Sequence, residues 1–236
     1  MGNIGSQRII LAIDASNEAD AKDLIRLAKE AGAQFIKLGL ELSSATSWQR
    51  CSELAQQAAL EWVADAKLDD IPNTVKKTVA NIKNLAHPPF AITIHTTAGI
   101  EAMRAAQAEA GDIKMFGVTI LTSISDEESS RIFGAAARQK VMDLALMAAE
   151  AGLAGFVASP QELGRIKENS KTKHLLAMIP GTRSDSATKN DQARTATPAE
   201  AIKDGADLLV IGRQVTQAAD PAKAYKELTD EIEGAP

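Results

Sequence analysis

Residues 61–74 read EWVADAKLDDIPNT, an apolar run that ends in a burst of charge. Trp62, Val63, Ala64 and Ala66 have the character of a strand buried on both faces, the kind found in parallel sheets covered by helices. Asp65 and Lys67 interrupt it before the turn at 70–74. Charges in that position cost free energy unless they are solvated, paired or used. Side chains alternate across a strand, so Asp65 and Lys67 share one face, as Ile10, Ala12 and Asp14 do in an earlier run.

Outward from this stretch the same kind of run recurs: RIILAID (8–14), FIKLGLEL (35–42), FAITIH (90–95), KMFGVTIL (114–121), GFVAS (155–159), HLLAMIP (174–180) and LLVIGR (208–213). With 61–68 that makes eight. Helical stretches separate them. EADAKDLIRLAKEAG ends at Gly32, TVKKTVANIKNLA follows a Pro-Asn turn, and ARQKVMDLALMAAEAG ends at Gly152. Eight strand–helix units predict an α/β fold, a closed (β/α)8 TIM barrel formed by residues 1–236 as a single domain. An open doubly wound sheet is the competitor, but no GxGxxG follows the first strand.

Composition narrows the function. A chain of 236 residues with 45% hydrophobic content can bury one large core, and a net charge of -5 with interspersed signs argues against a nucleic-acid surface or a polybasic membrane patch. A small soluble partner is expected. The single cysteine, Cys51, fits a reducing cytoplasm, and His87, His95 and His174 lie too far apart for metal-ligand spacing. No apolar run is long enough to span a bilayer, and no basic-then-apolar signal opens the chain. The first residues, MGNIGS, match the loose N-myristoylation pattern through Gly2 and Ser6. The strand expected from Arg8 leaves almost no tether, so an ordinary frayed terminus is expected instead.

In a barrel, catalytic groups collect where the C-terminal strand ends meet their loops. These ends are polar here: Asp14, Lys37, Asp65 with Lys67, His95, Thr122, and Gly212 with Arg213. Lys37 alone would be read as a snorkelling stem or a paired structural charge. The set reverses that reading. Lys37, Lys67, Asp14, Asp65 and Asp70 are expected to meet at one mouth, where each pair about 4 Å apart interacts by roughly 4 kcal/mol at an effective dielectric near 20. Asp69 reads as a solvated loop charge. After the seventh strand, IPGTRSDSATKNDQAR (179–194) is a polar loop too long for an ordinary connection, which suggests a lid or ligand clamp. Arg183 within it, with Gly212 and Arg213 after the eighth strand, points to phosphate, the usual ligand of those loops.

With DAKLDDIPNT at the third strand, the chain resembles the orotidine 5'-monophosphate decarboxylase family, marked by Asp-x-Lys-x-x-Asp-Ile and filled here by Asp65, Lys67, Asp70 and Ile71. The likeness extends through LAID (Asp14), IKLG (Lys37), HTTAG (His95 to Gly99), LTS (Thr122), PGTR (Arg183), NDQAR (Gln192) and VIGRQVTQAADP (Gly212, Arg213). It implies cofactor-free loss of CO₂ to give uridine 5'-monophosphate, the last step of de novo pyrimidine synthesis. By the same resemblance Lys67 protonates C6, Asp65 positions it, Asp70 sits against the departing carboxylate, and Lys37 completes the charge array. Asp14 and Lys37 would hold the ribose hydroxyls. Thr122 and Gln192 would contact the pyrimidine or bridge it to the phosphate loop, with Arg183, Gly212 and Arg213 on phosphate. Residues Asp70, Ile71 and on to Thr74 would reach a neighbouring subunit's site, which implies a homodimer.

Asp69 stands where the family commonly has His, Ile100 where a second Gly follows Gly99, and Thr182 where Ile precedes the Arg. Two rivals share much of the pattern. One is a magnesium-dependent enzyme acting on 3-keto-gulonate 6-phosphate or hexulose 6-phosphate, which carries an acid rather than Lys37 in its second strand. The other is a non-catalytic nucleotide-binding barrel, in which loss of Lys67 or Asp70 would be expected.

Overall fold

Each apolar run becomes one strand: β1 (Ile9–Ile13), β2 (Phe35–Gly39), β3 (Glu61–Leu68), β4 (Ala91–His95), β5 (Lys114–Val118), β6 (Gly155–Val157), β7 (Leu176–Pro180) and β8 (Leu208–Ile211). The computed structural model describes residues 5–184 and 196–234. Consecutive strands pair in parallel, and β8 returns to β1 with Ile211 opposite Leu11, which closes the barrel. This is the (β/α)8 architecture that the alternation of runs and helices predicts.

The helices are α1 (Glu18–Glu30), α2 (Leu40–Ala45), α3 (Trp48–Ala58), α4 (Pro72–Lys83), α5 (Ile100–Ala110), α6 (Asp126–Phe133), α7 (Ala137–Glu150), α8 (Pro160–Glu168), α9 (Pro198–Lys203), α10 (Arg213–Thr216) and α11 (Pro221–Glu233). Their starts follow local chemistry. Asn17, Ser47, Ser125, Ser159, Thr197 and Asp220 each accept a backbone N–H of the first turn, which satisfies a donor the helix itself leaves open.

The strand period of two divides the apolar residues between two cores. Ile10, Val63, Ala91, Phe116 and Met178 fill the barrel interior. Ile9, Leu11, Ile36, Trp62 and Ile92 face outward and meet Ile25, Leu54, Val79 and Met103 of the helices. Gly155 makes room for Phe116 inside: a Cβ there would lie 2.5 Å from Phe116 Cε1 and would also strike the Leu176 carbonyl. The end of the barrel opposite the strand C-termini is tied for stability. The His87 carbonyl accepts from Trp62 Nε1 and Ser52 Oγ, both at 2.9 Å, while Lys167 Nζ donates to the Leu175 carbonyl and Asp207 at 2.8 Å.

Several boundaries differ from those expected. The second run stops at Gly39 rather than at residue 42, because Leu40 opens α2. β5 stops at Val118 rather than 121, and Thr119 then donates through its hydroxyl to the Val157 carbonyl at 2.8 Å. β6 stops at Val157, leaving Ser159 to cap α8, and β8 stops at Ile211, so that Arg213 begins α10. Pro72 is the first residue of α4, not part of a turn before it, a position where its missing N–H costs nothing. From Gly5 on, the chain is tied to the barrel. Gly5–Arg8 form a 3-10 turn, the Gly5 N–H donates to Glu233 at 3.3 Å, and buried Ser6 Oγ accepts from Gln34 at 3.0 Å. Gly2 lies outside the described residues.

Candidate active site

β3 carries its chemistry on the inward face. Val63 sits in the barrel core, Asp65 lies one layer higher, and Lys67 follows at the rim, each two residues on. The Lys67 ammonium lies 2.6 Å from Asp65 Oδ2, and Lys37 reaches the same oxygen from β2 at 3.4 Å. Lys37 also donates to Asp14 at 3.1 Å, just past the end of β1. The result is a chain of alternating charge, Asp14–Lys37–Asp65–Lys67, formed by three adjacent strands. Gly39 leaves room for it, since a Cβ at that position would lie 3.2 Å from Lys37 Nζ.

Burial and pairing oppose each other within the chain. Side-chain exposure falls from 61% at Asp14 to 14% at Lys37 and 11% at Asp65. Burial alone would push the Asp65 carboxyl up, but the Lys37 and Lys67 charges and the hydrogen bonds from Lys67 and Thr93 hold it below its ordinary value. Burial alone would push Lys37 down, and Asp65 and Asp14 more than reverse that. Both groups are therefore charged at neutral pH. His95, on the inward face of β4, is pushed down mainly by burial, so it is neutral there.

The backbone is irregular at this point. β3 and β4 pair Ala64 with Ile92 and then Leu68 with Ile94, so four steps along one strand match two along the other. Lys67 occupies that bulge with φ of 44°, in the left-handed region that a side chain disfavours. Its N–H donates to Thr93 Oγ1 at 2.9 Å, and the Thr93 hydroxyl donates to Asp65 Oδ1 at 2.9 Å. Thr93 escaped the sequence reading. Its signal was available: FAITIH places Thr93 on the inward face two residues before His95.

Above Asp65 and Thr93 the barrel opens into a cavity of about 210 Å³, walled on its far side by Val118, Ile120, Val157, Met178 and Val210. Whole small-molecule sites typically span roughly 300–1,000 Å³, so this floor suits the reacting part of a ligand while the remainder extends over the rim. Thr122 lines the cavity. Arg183 follows β7, its N–H donating to the Ala196 carbonyl at 2.9 Å. Gly212 caps α10 beside Asp14: a Cβ on it would lie 3.8 Å from Asp14 Oδ2, so β8 and its Arg213 border the same mouth. Gln192 lies outside the described residues.

Within one chain the Asp70 side chain is exposed, and its Oδ1 accepts the Ile71 N–H at 2.7 Å. Among the described residues, the carboxylates ion-paired in this cluster are Asp14 and Asp65. Beside Asp70, Ile71 is 66% exposed, and Leu40 at the end of β2 is 52% exposed. Thr74 lies in the first turn of α4. Among the described residues, no group of three His, Cys, Asp or Glu side chains could hold a metal ion, and no helix is long and apolar enough to cross a membrane.

A lysine–aspartate chain at the C-terminal mouth of a (β/α)8 barrel, where the catalytic groups of such barrels collect, marks the class as a barrel enzyme. The chain belongs to the orotidine 5'-phosphate decarboxylase / HUMPS family, whose model matches residues 7–228. It is 37% identical to an orotidine 5'-phosphate decarboxylase of Rhodospirillum rubrum, over 99% of this chain and 97% of that one. A relative of the same description from Thermosynechococcus vestitus is also 37% identical, over 96% of each chain. Among solved structures it is similar to the orotidine 5'-phosphate decarboxylase of Lactobacillus acidophilus, with a TM-score of 0.83, 28% identity, and coverage of 97% of this chain and 100% of that one.

Proposed function

We infer that the protein decarboxylates orotidine 5'-monophosphate to uridine 5'-monophosphate, with no metal or organic cofactor. The observation that carries this reading is the Lys67 ammonium, held by Asp65 at the rim of an apolar-walled cavity in a chain of this family. As CO₂ leaves, the bonding pair stays on C6 of the pyrimidine. A fixed ammonium stabilises that carbanion without having to reorganise, and the same group then gives C6 its proton as general acid. The apolar walls lower the local dielectric and strengthen the effect.

The remaining roles follow the geometry and the family's pattern. Asp65 positions Lys67, and Lys37 and Asp14 take the ribose hydroxyls. Thr122 meets the pyrimidine, joined by Gln192. Arg183, Gly212 and Arg213 receive the phosphate, whose binding energy contributes to orienting the reacting ring. Asp70, placed against the departing carboxylate, acts in the site of a second copy, with Ile71 and Thr74 beside it at the interface of a homodimer. The support is that Asp70 stands outside its own chain's cluster and that Ile71 and Leu40 expose apolar surface at the same rim. Nucleotide biosynthesis and a buried lone thiol fit a cytoplasmic enzyme.

Lys37 weighs against a magnesium-dependent reaction on a sugar phosphate. Its ammonium lies between Asp14 and Asp65, where a divalent cation would need carboxylates to itself. The test is to incubate the purified protein and EDTA with orotidine 5'-monophosphate and follow the ultraviolet change. Turnover supports the reading, and its absence sinks it. In D₂O the product should carry deuterium at C6, and Lys67→Ala should remove turnover while nucleotide binding largely persists.

A further inference from the structure

We propose that Thr93 is a positioning residue for Lys67, its hydroxyl fixing at once the backbone of the lysine and the orientation of the carboxylate that holds the lysine's ammonium. The proposal rests on the reading of Lys67 as proton donor. An amide N–H can only donate and a carboxylate can only accept, so the order Lys67 N–H to Thr93 O–H to Asp65 Oδ1 leaves the hydroxyl proton one place to go. Both bonds are 2.9 Å, and Thr93 is 2% exposed, so water does not substitute for it.

The consequence is a division of labour between the two oxygens of Asp65. Thr93 occupies Oδ1, which turns Oδ2 toward Lys67 at 2.6 Å and Lys37 at 3.4 Å. Rotation about the last side-chain bond of an aspartate is soft, so nothing intrinsic to Asp65 selects that orientation. The backbone contact matters equally. Lys67 sits at φ of 44° within the bulge, a conformation that persists only where its surroundings over-determine it, and its N–H has left the sheet ladder for the Thr93 hydroxyl. The branched side chain of threonine restricts χ1, which holds the hydroxyl toward β3.

Thr93→Val keeps the shape and removes the hydroxyl; Thr93→Ser keeps the hydroxyl and removes the methyl. Thr93→Val should lower kcat by roughly 10- to 100-fold with KM changed by less than about threefold, the pattern of a misplaced catalytic group, while Thr93→Ser stays within about threefold of the parent. A second readout does not need turnover. In Thr93→Val the Asp65 carboxyl, followed by ¹³C NMR, should titrate at higher pH than in the parent, because a hydrogen bond to its charged form is gone, and Thr93→Ser should restore it. The charged and titratable groups facing Asp65 are Lys37 from β2, Lys67 on its own strand and His95 from β4, and all are retained in both variants. A parent without turnover would fail the functional reading alone, since the NMR comparison still decides the geometry. An unshifted Asp65 titration in Thr93→Val, an unchanged kcat, or equal losses in the valine and serine variants would overturn the proposal.

Discussion

Lys67 and Asp65, two residues apart on one strand, form an ion pair of 2.6 Å in which the aspartate side chain is almost fully enclosed and the lysine side chain is 31% exposed. The buried partner is thus the anchor and the more exposed one the working group. Asp65→Asn would leave Lys37 and Lys67 facing a neutral amide. It should destabilise the fold by about 3 kcal/mol, the low end for breaking a buried pair because Lys67 retains solvent. Turnover should fall by about 100-fold or more as the ammonium loses its fixed position. Chemical denaturation and a steady-state assay on the same preparation measure both.

The acid limb of stability follows from the same carboxylate. The folded pKa of Asp65 lies below its ordinary value of 3.8, so the folded chain binds its proton less readily than the unfolded chain. Its contribution is complete above that ordinary value and is lost as pH falls through the lower folded value. Denaturation midpoints taken from pH 6 downward should decline in the acid range for the parent, and the decline should be shallower in Asp65→Asn.

The homodimer proposed above makes a prediction that single chains cannot satisfy. Lys67→Ala and Asp70→Ala should each be inactive alone. When the two are unfolded and refolded together, mixed dimers have one site with both defects and one with neither, restoring roughly a quarter of the parental activity under random pairing. If the mixture stays inactive, Asp70 does not serve a neighbouring site.

Cys51 offers a probe of the outer core. It lies on the buried face of α3, and burial pushes its thiol up to about 11. At pH 8 a thiol reagent should leave the native protein untouched for as long as it stays folded. Labelling should follow the unfolding rate rather than the reagent concentration.

The fold was legible because each strand is short, apolar and set apart by helical sequence, so the eight units stand out by period alone. Asp14, Lys37, Asp65 and Lys67 were legible for a related reason: alternation puts them on the inward face. The boundaries were less so. FIKLGLEL stays apolar past Gly39, and nothing in its pattern marks where strand becomes helix. α6, with its polar DEESSRIF, lacks an apolar stripe strong enough to announce a helix, although Ser125 accepting the Glu128 N–H is a capping signal. Thr93 stayed hidden because threonine is ordinary in a strand. Asp70 lies past the end of β3 at Leu68, where the direction of a side chain depends on the turn rather than on alternation.

The left-handed backbone at Lys67 sets the interests of folding against those of chemistry. Glycine would hold φ of 44° without strain, so Lys67→Gly should be more stable than Lys67→Ala by about 1 kcal/mol, a difference read from their melting curves. Selection for robustness alone would therefore steer this position away from lysine. A lineage screened only for heat tolerance would drift toward an inert barrel, and the lysine at this strained position marks what such a screen does not see.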